Sequence, residues 1–322
     1  METITKKRYV EIDTLKGFAI FMVVLGHAII YFPVNLHANL YCKWIFDFVS
    51  SVHMCLFFTV SGFCFSYKNG FKDFFIKKVK RLVIPYFVFN IIDVFPRYLL
   101  PSLVNRPKGI LESVGDILLH GGEYWFLYVL FIMFMVFIPM HLLQKNRLAV
   151  QIALEVILLA LAILHFKVEF LRIGDLLYYL FFFNTGYLIK TYRSDIFDFK
   201  FKSAALTVLV PILLLAAWVS IVIFAIKIVP AALTAILGIV TLYFITKFSW
   251  FNFSFKRFGP YSLVIYLFNG FLLVASRTLI CKVTGNPALI IGFNMAVDFF
   301  ISYLFIKYIW TRFKPLRFIS GQ

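Results

Sequence analysis

Apolar residues run along this chain in blocks of about 17 to 25, the length that carries a helix across a hydrocarbon core. Ten such blocks are read, near residues 15–33, 44–67, 83–100, 124–143, 149–166, 173–190, 204–226, 228–247, 261–280 and 287–309. The seventh and eighth are separated only by Lys227 and Pro230, and two spans joined by a tight turn fit that stretch best. The first block opens with Asp13 and Lys16 and is followed by no small-residue cleavage pattern, so it is expected to stay in the mature protein. The pattern predicts an all-α, polytopic integral membrane protein with about ten transmembrane helices. One membrane domain is expected over residues 1–322, with no appended soluble domain.

Composition agrees with the pattern. Of 322 residues, 62% are hydrophobic and 20% aromatic, and the mean hydropathy is +0.91, values too apolar for a soluble domain of this size. Charge then supplies orientation. In alternate connections, 23 of the 32 Lys and Arg residues fall on one side, which the positive-inside rule makes the cytoplasm and which carries both termini. The same bias accounts for most of the net charge of +17. No soluble basic domain or groove-reading motif accompanies the charge, so nucleic acid is not an expected partner.

The four cysteines, Cys42, Cys55, Cys64 and Cys281, form no metal-ligand spacing, and no metal is expected. There is no Gly-rich phosphate loop, HExxH motif or GxSxG elbow, and no internal repeat. The chemistry must therefore lie in polar groups within the apolar blocks: His27, His53, Asp93, Glu155 and Asp298, with Asp13 and Lys16 at the mouth of the first helix.

Lys16 and His27 are eleven residues apart, close to three helical turns. They share a helix face roughly 16 Å apart along the axis, a cation near the membrane surface and an imidazole deep inside. The first helix runs outward and the second returns, which puts His53 at a depth similar to that of His27. For either histidine alone a hydrogen-bonded packing role is the default, and finding two at one depth weighs against it. The connection from Lys68 to Arg81 holds six cations and one Asp, and Lys78 and Arg81, three apart, share a face there. With Lys16 they form a cationic mouth suited to phosphates, although lipid headgroup contact explains the same charges. The longest outer connection, Arg97 to Glu123, is read as a loop covering the outer face.

The segments EIDTLKGFAIFMVVLGH, VHMCLFFTVSGFCFSYK, KKVKRLVIPY, YWFLYVLF and FGPYSLVIYLFNG, in that order from about residue 9 to 271, resemble membrane acyltransferase family 3, the integral-membrane O-acyltransferases of bacterial surface polysaccharides. The family's first motif, a basic residue and a histidine with ten residues between, falls on Lys16 and His27. Its paired basic motif falls on Lys78 and Arg81. In both places Lys replaces the commoner Arg, keeping the charge and losing the bidentate fork. Where many relatives carry a further His, this chain has Asn269, which carries no proton in the reaction and is read as a hydrogen-bonding partner.

The resemblance implies an O-acyltransferase, most simply an O-acetyltransferase, in the bacterial inner or plasma membrane. Its donor would be acetyl-CoA or a related acyl-CoA, with phosphates held by Lys16, Lys78 and Arg81. Its acceptor would be a hydroxyl of a capsular, O-antigen or exopolysaccharide glycan or of a lipid-linked precursor. His27 is the expected general base, and His53 is the second catalytic candidate. Asp13 is expected to orient Lys16, and Ser61 to orient the donor or support the oxyanion. Direct transfer and a two-step route through acyl-His27 are both compatible with these residues. The rival class is a membrane transporter or exporter of polysaccharide or another polar substrate, for which paired histidines and membrane carboxylates would form a relay.

Overall fold

The computed structural model describes residues 9–31, 33–68, 70–99 and 109–321, and every regular element among them is helical. The first helix, α1 (Val10–Ile30), lies at the centre and packs against elements from both halves of the chain. It stops three residues before Pro33, where the chain turns extended at Tyr31. Among the described residues, six helical segments are long and apolar enough to cross a membrane: Val10–Ile30, Leu40–Phe63, Ile110–Gln144, Ala204–Ala225, Ser249–Ile280 and Pro287–Trp310. Two shorter apolar helices, Leu148–Leu164 and Ala231–Ile245, accompany them.

The second apolar block is broken in two, which periodicity alone did not foresee. Helix α2 (Leu40–Ser50) starts on Asn39, whose side chain accepts from the amides of Tyr41 and Cys42. It ends where the Ser51 hydroxyl donates to the Phe48 carbonyl (2.7 Å) and accepts from the Trp218 indole (3.0 Å). Helix α3 (His53–Phe63) restarts two residues later, with His53 in its first turn. The break is what fixes this histidine: its Nδ1 lies 2.6 Å from the Val49 carbonyl, on the far side of the interruption.

Next come α4 (Gly70–Lys78) and α5 (Ile84–Leu99), joined by a widened π turn over Val79–Val83. Pro85 has no N–H to give the carbonyl four residues earlier, that of Arg81, and the wider turn upstream absorbs the register change. Lys78 ends α4 and Arg81 lies within the π turn, and both line one cavity. The outer connection also departs from a plain loop. Residues 100–108 lie outside the described residues, but 110–120 form helix α6 (Ile110–His120), closed by Gly121 at φ +81°. Helix α7 (Trp125–Gln144) follows at once, and the preceding Tyr124 hydroxyl donates to the Leu267 carbonyl (3.0 Å).

Helices α8 (Leu148–Leu164) and α9 (Ile173–Tyr192) pair through a half-buried carboxylate. Glu155 accepts from Asn184 Nδ2 (2.6 Å) and Thr185 Oγ1 (2.5 Å), and Asn184 in turn accepts from Gln144 (2.9 Å). Helix α9 also lies directly on α3. A Cβ on Gly62 would strike the Phe183 carbonyl, and one on Gly186 would strike that of Thr59, so the SGF segment serves backbone contact as well as any site. The chain then forms α10 (Ala204–Ser220), α11 (Ala231–Ile245), the short α12 (Ser249–Phe255), the antiparallel pair α13 (Ser262–Ile280) and α14 (Pro287–Phe305), and α15 (Lys314–Ile319). Helix α15 packs over the π turn and α5, with Ser320 accepting from the Trp310 indole (2.7 Å).

Candidate functional site

A cavity lies between α1, α3, α7, the π turn and the start of α13. Lys16, Lys78, Arg81 and Ser61 all line it, although they come from three separate stretches of sequence. The three cations stand at its basic end, and Val23, Met54, Phe57, Phe126, Leu130 and Tyr266 line its apolar interior. Local structure explains each position. Lys16 projects from the first half of α1 beside the close contact of Gly17 and Gly259 with neighbouring backbone, and its Nζ donates to Cys64 Sγ (3.6 Å). Arg81 is carried by the π turn and is exposed.

Lys78, like Lys16, is half-buried. Its Nζ lies 3.2 Å from the centroid of the Phe134 ring and 5.1 Å from that of Phe74. Burial pulls this ammonium from its usual range down to about 7, the Arg81 charge adds to the effect, and the Cys64 sulfur opposes it.

His27 lies one turn beyond Val23 on α1, just past the cavity's lining, and His53 precedes the lining residue Phe57 by one turn on α3. Asn269 follows Tyr266 by three residues on α13. Each of these three helices therefore presents a lining side chain and then, one turn deeper, a polar group. His27 Nδ1 is 3.2 Å from Asn269 Oδ1, and its ring stacks on Tyr31 with centroids 4.6 Å apart. With Nδ1–H donating to the amide oxygen, Nε2 keeps its lone pair. His53, donating Nδ1–H to Val49, also leaves Nε2 available, and the two imidazoles are close enough to interact electrostatically.

Asp13, read as orienting Lys16, is not among the cavity-lining residues. Its backbone carbonyl lies against Gly259. Residues outside the set of sequence candidates complete the wall: Cys64, Phe126, Phe134, Pro260 and Tyr266. Several belong to the YWFLYVLF and FGPYSLVIYLFNG segments, whose apolar side chains gave no chemical signal of their own. Among the described residues, no group of three or more His, Cys, Asp or Glu is placed to hold a metal.

The arrangement has room for a long ligand that is anionic at one end and apolar along its stem, with an imidazole beyond its tip. Comparison with known proteins bears on what such a site does. Neither the curated proteins nor the solved structures give a significant match to the chain. The family model Acyl_transf_3, described as an acyltransferase domain, matches residues 9–313, a range that takes in the cavity, its cations and His27. The chain therefore belongs to this acyltransferase family.

Proposed function

We propose that the protein is an O-acetyltransferase that moves an acetyl group from acetyl-CoA to a hydroxyl of a cell-surface polysaccharide or its lipid-linked precursor. The observation that carries this reading is one cavity lined at its basic end by Lys16, Lys78 and Arg81 and ending one turn short of His27. Membership of an acyltransferase family supports the reaction class. The cations fit the donor's phosphates, and the apolar stem of the cavity fits its pantetheine arm. The basic end is taken as cytoplasmic, in a bacterial plasma membrane spanned about ten times, so the donor enters from the side where it is made.

In the proposed reaction His27 Nε2 takes the proton of the acceptor hydroxyl as its oxygen attacks the thioester carbonyl. The C–O bond forms, the C–S bond breaks, and the proton passes from His27 to the departing thiolate, so ester and free thiol balance thioester and alcohol. Asn269 holds the tautomer this requires through its 3.2 Å bond to Nδ1. His53 is assigned to the developing oxyanion or to the leaving sulfur, and Ser61 to the donor's stem. Asp13 supports α1 at the mouth, its backbone packed on Gly259.

The test uses purified protein, labelled acetyl-CoA and a glycan acceptor. Wild-type protein is expected to acetylate the glycan. His27→Ala is expected to lower kcat by about 10²- to 10⁴-fold with little change in the KM for acetyl-CoA. Protein that never consumes acetyl-CoA in the presence of its glycan would refute the proposal.

A further inference from the structure

Two carboxylates among the membrane helices differ in how they are held: Glu155 is half-buried and hydrogen-bonded, and Asp298 is buried and is not. Glu155 accepts two hydrogen bonds, from Asn184 and Thr185. Asp298, on α14, has 0% exposure, and neither carboxyl oxygen has a hydrogen-bond partner among the described residues. Its neighbours one turn away on the same face, Asn294 and Ser302, are also buried, and Asn294 Nδ2 and Ser302 Oγ are likewise unpartnered. An apolar side chain of similar size would avoid the desolvation cost, so packing gives no reason for a carboxyl here.

The register of α13 on α14 shows what the carboxyl faces. Ser276 Oγ donates to Asn294 Oδ1 at 3.0 Å, which sets these two residues level in the antiparallel pair. Towards the basic end from that bond, Asp298 lies four residues along α14, about 6 Å, and Asn269 lies seven residues along α13, about 10 Å. The two are thus about 4 to 5 Å apart in depth, on helices that both pack against α1. Asn269 is itself buried, and its Nδ2 is an unpartnered donor. An orphaned donor and an orphaned pair of acceptors thus stand on facing helices of the same three-helix interface, with the unpartnered Ser302 hydroxyl at a depth close to that of Asn269.

We infer that Asp298 is a positioning residue that acts on His27 through Asn269. The amide of Asn269 has two ends. With Oδ1 towards His27 it accepts from Nδ1–H and leaves Nε2 as the base; turned over, it would donate to Nδ1 and move the ring proton to Nε2, where it would block proton abstraction. An acceptor behind Nδ2 decides between the two, and Asp298 supplies that acceptor. The role needs an acceptor oxygen rather than a charge. It rests on the assignment of His27 as the base.

The experiment is a double-mutant cycle read in acetyl transfer, with melting of the detergent-solubilised protein alongside. Asp298→Leu is expected to melt at or above the wild-type temperature, to lower kcat about tenfold, and to keep the KM for acetyl-CoA within about twofold. Asp298→Ala gives the same reading if leucine disturbs packing. Asp298→Asn, which retains an acceptor oxygen, is expected to stay within about threefold of wild-type kcat. Combined with Asn269→Leu, Asp298→Leu should cost nothing further, because both act through one bond network. A fully active Asp298→Leu protein, or losses that multiply in the double variant, would overturn the inference while leaving the proposed reaction intact. Wild-type protein without any transfer would overturn both.

Discussion

The ammonium of Lys78 lies 3.2 Å from the centre of the Phe134 ring, on the wall of the cavity that Lys16 and Arg81 also line. A ring face stabilises the cation but offers no proton acceptor, and burial holds the group down to about 7. A phosphate reaching this site meets a lysine poised between its two forms.

Donor affinity should therefore depend on pH in a defined direction. The protonated form is full below pH 7 and is lost as pH rises through about 7, and with it goes one charge-assisted contact to phosphate. The KM for acetyl-CoA is expected to rise by up to about tenfold between about pH 7 and about pH 9, the equivalent of a charged hydrogen bond. In Lys78→Arg, whose guanidinium stays protonated, the rise should disappear. A wild-type KM flat over this range would contradict the assignment of Lys78 to the phosphates.

Cys64 offers a test of donor binding that does not depend on turnover. It is exposed, lines the cavity and accepts from Lys16 Nζ at 3.6 Å, whereas Cys42 and Cys55 are buried. A maleimide should label Cys64, and coenzyme A should slow that labelling, with Cys64→Ser as the control that identifies the site. Labelling at the same rate with saturating coenzyme A would place the nucleotide elsewhere.

Acyl selectivity should be set at the inner end of the cavity. Phe57 stands one turn from His53 and packs on Phe126 with centroids 5.6 Å apart, and no charged side chain joins them in lining that end. On the proposed reaction, this apolar lining would suit a short, neutral acyl group. Phe57→Ala is expected to raise the ratio of butyryl to acetyl transfer by about tenfold or more, the scale set by one or two methylenes in an apolar pocket. An unchanged ratio would show that Phe57 does not face the acyl group.

The α3–α9 contact should be sensitive to one methyl group. Gly62→Ala drives a Cβ into the Phe183 carbonyl, whose backbone has little room to yield, at a cost of about 1–3 kcal/mol. Gly115→Ala on α6 meets nothing within 4 Å and serves as the comparison without a clash, expected to melt at or slightly above wild type. Equal melting temperatures for the two variants would show that α3 and α9 are not held at this distance.

The amino-acid sequence was enough for the membrane class, the helical architecture and the acyltransferase family, because apolar length and motif order are local properties that survive any arrangement of the helices. It also singled out Lys16, Lys78, Arg81 and Ser61, whose charge or neighbouring motif stands out against an apolar background. It could not show that these four share one cavity, since they meet only when α1, α3 and the π turn pack together. The break at Ser51 that seats His53 depends on a Trp218 indole 167 residues away. The partner of His27 was legible only as a departure from the family pattern, because an asparagine in an apolar run reads alike whether it faces lipid or a base. Tertiary packing decided that Asn269 meets His27 and left Asp298 buried on α14 without a hydrogen-bond partner among the described residues. Pairing between distant polar groups depends on which helix faces touch, and that is settled by the whole bundle rather than by any one stretch of chain.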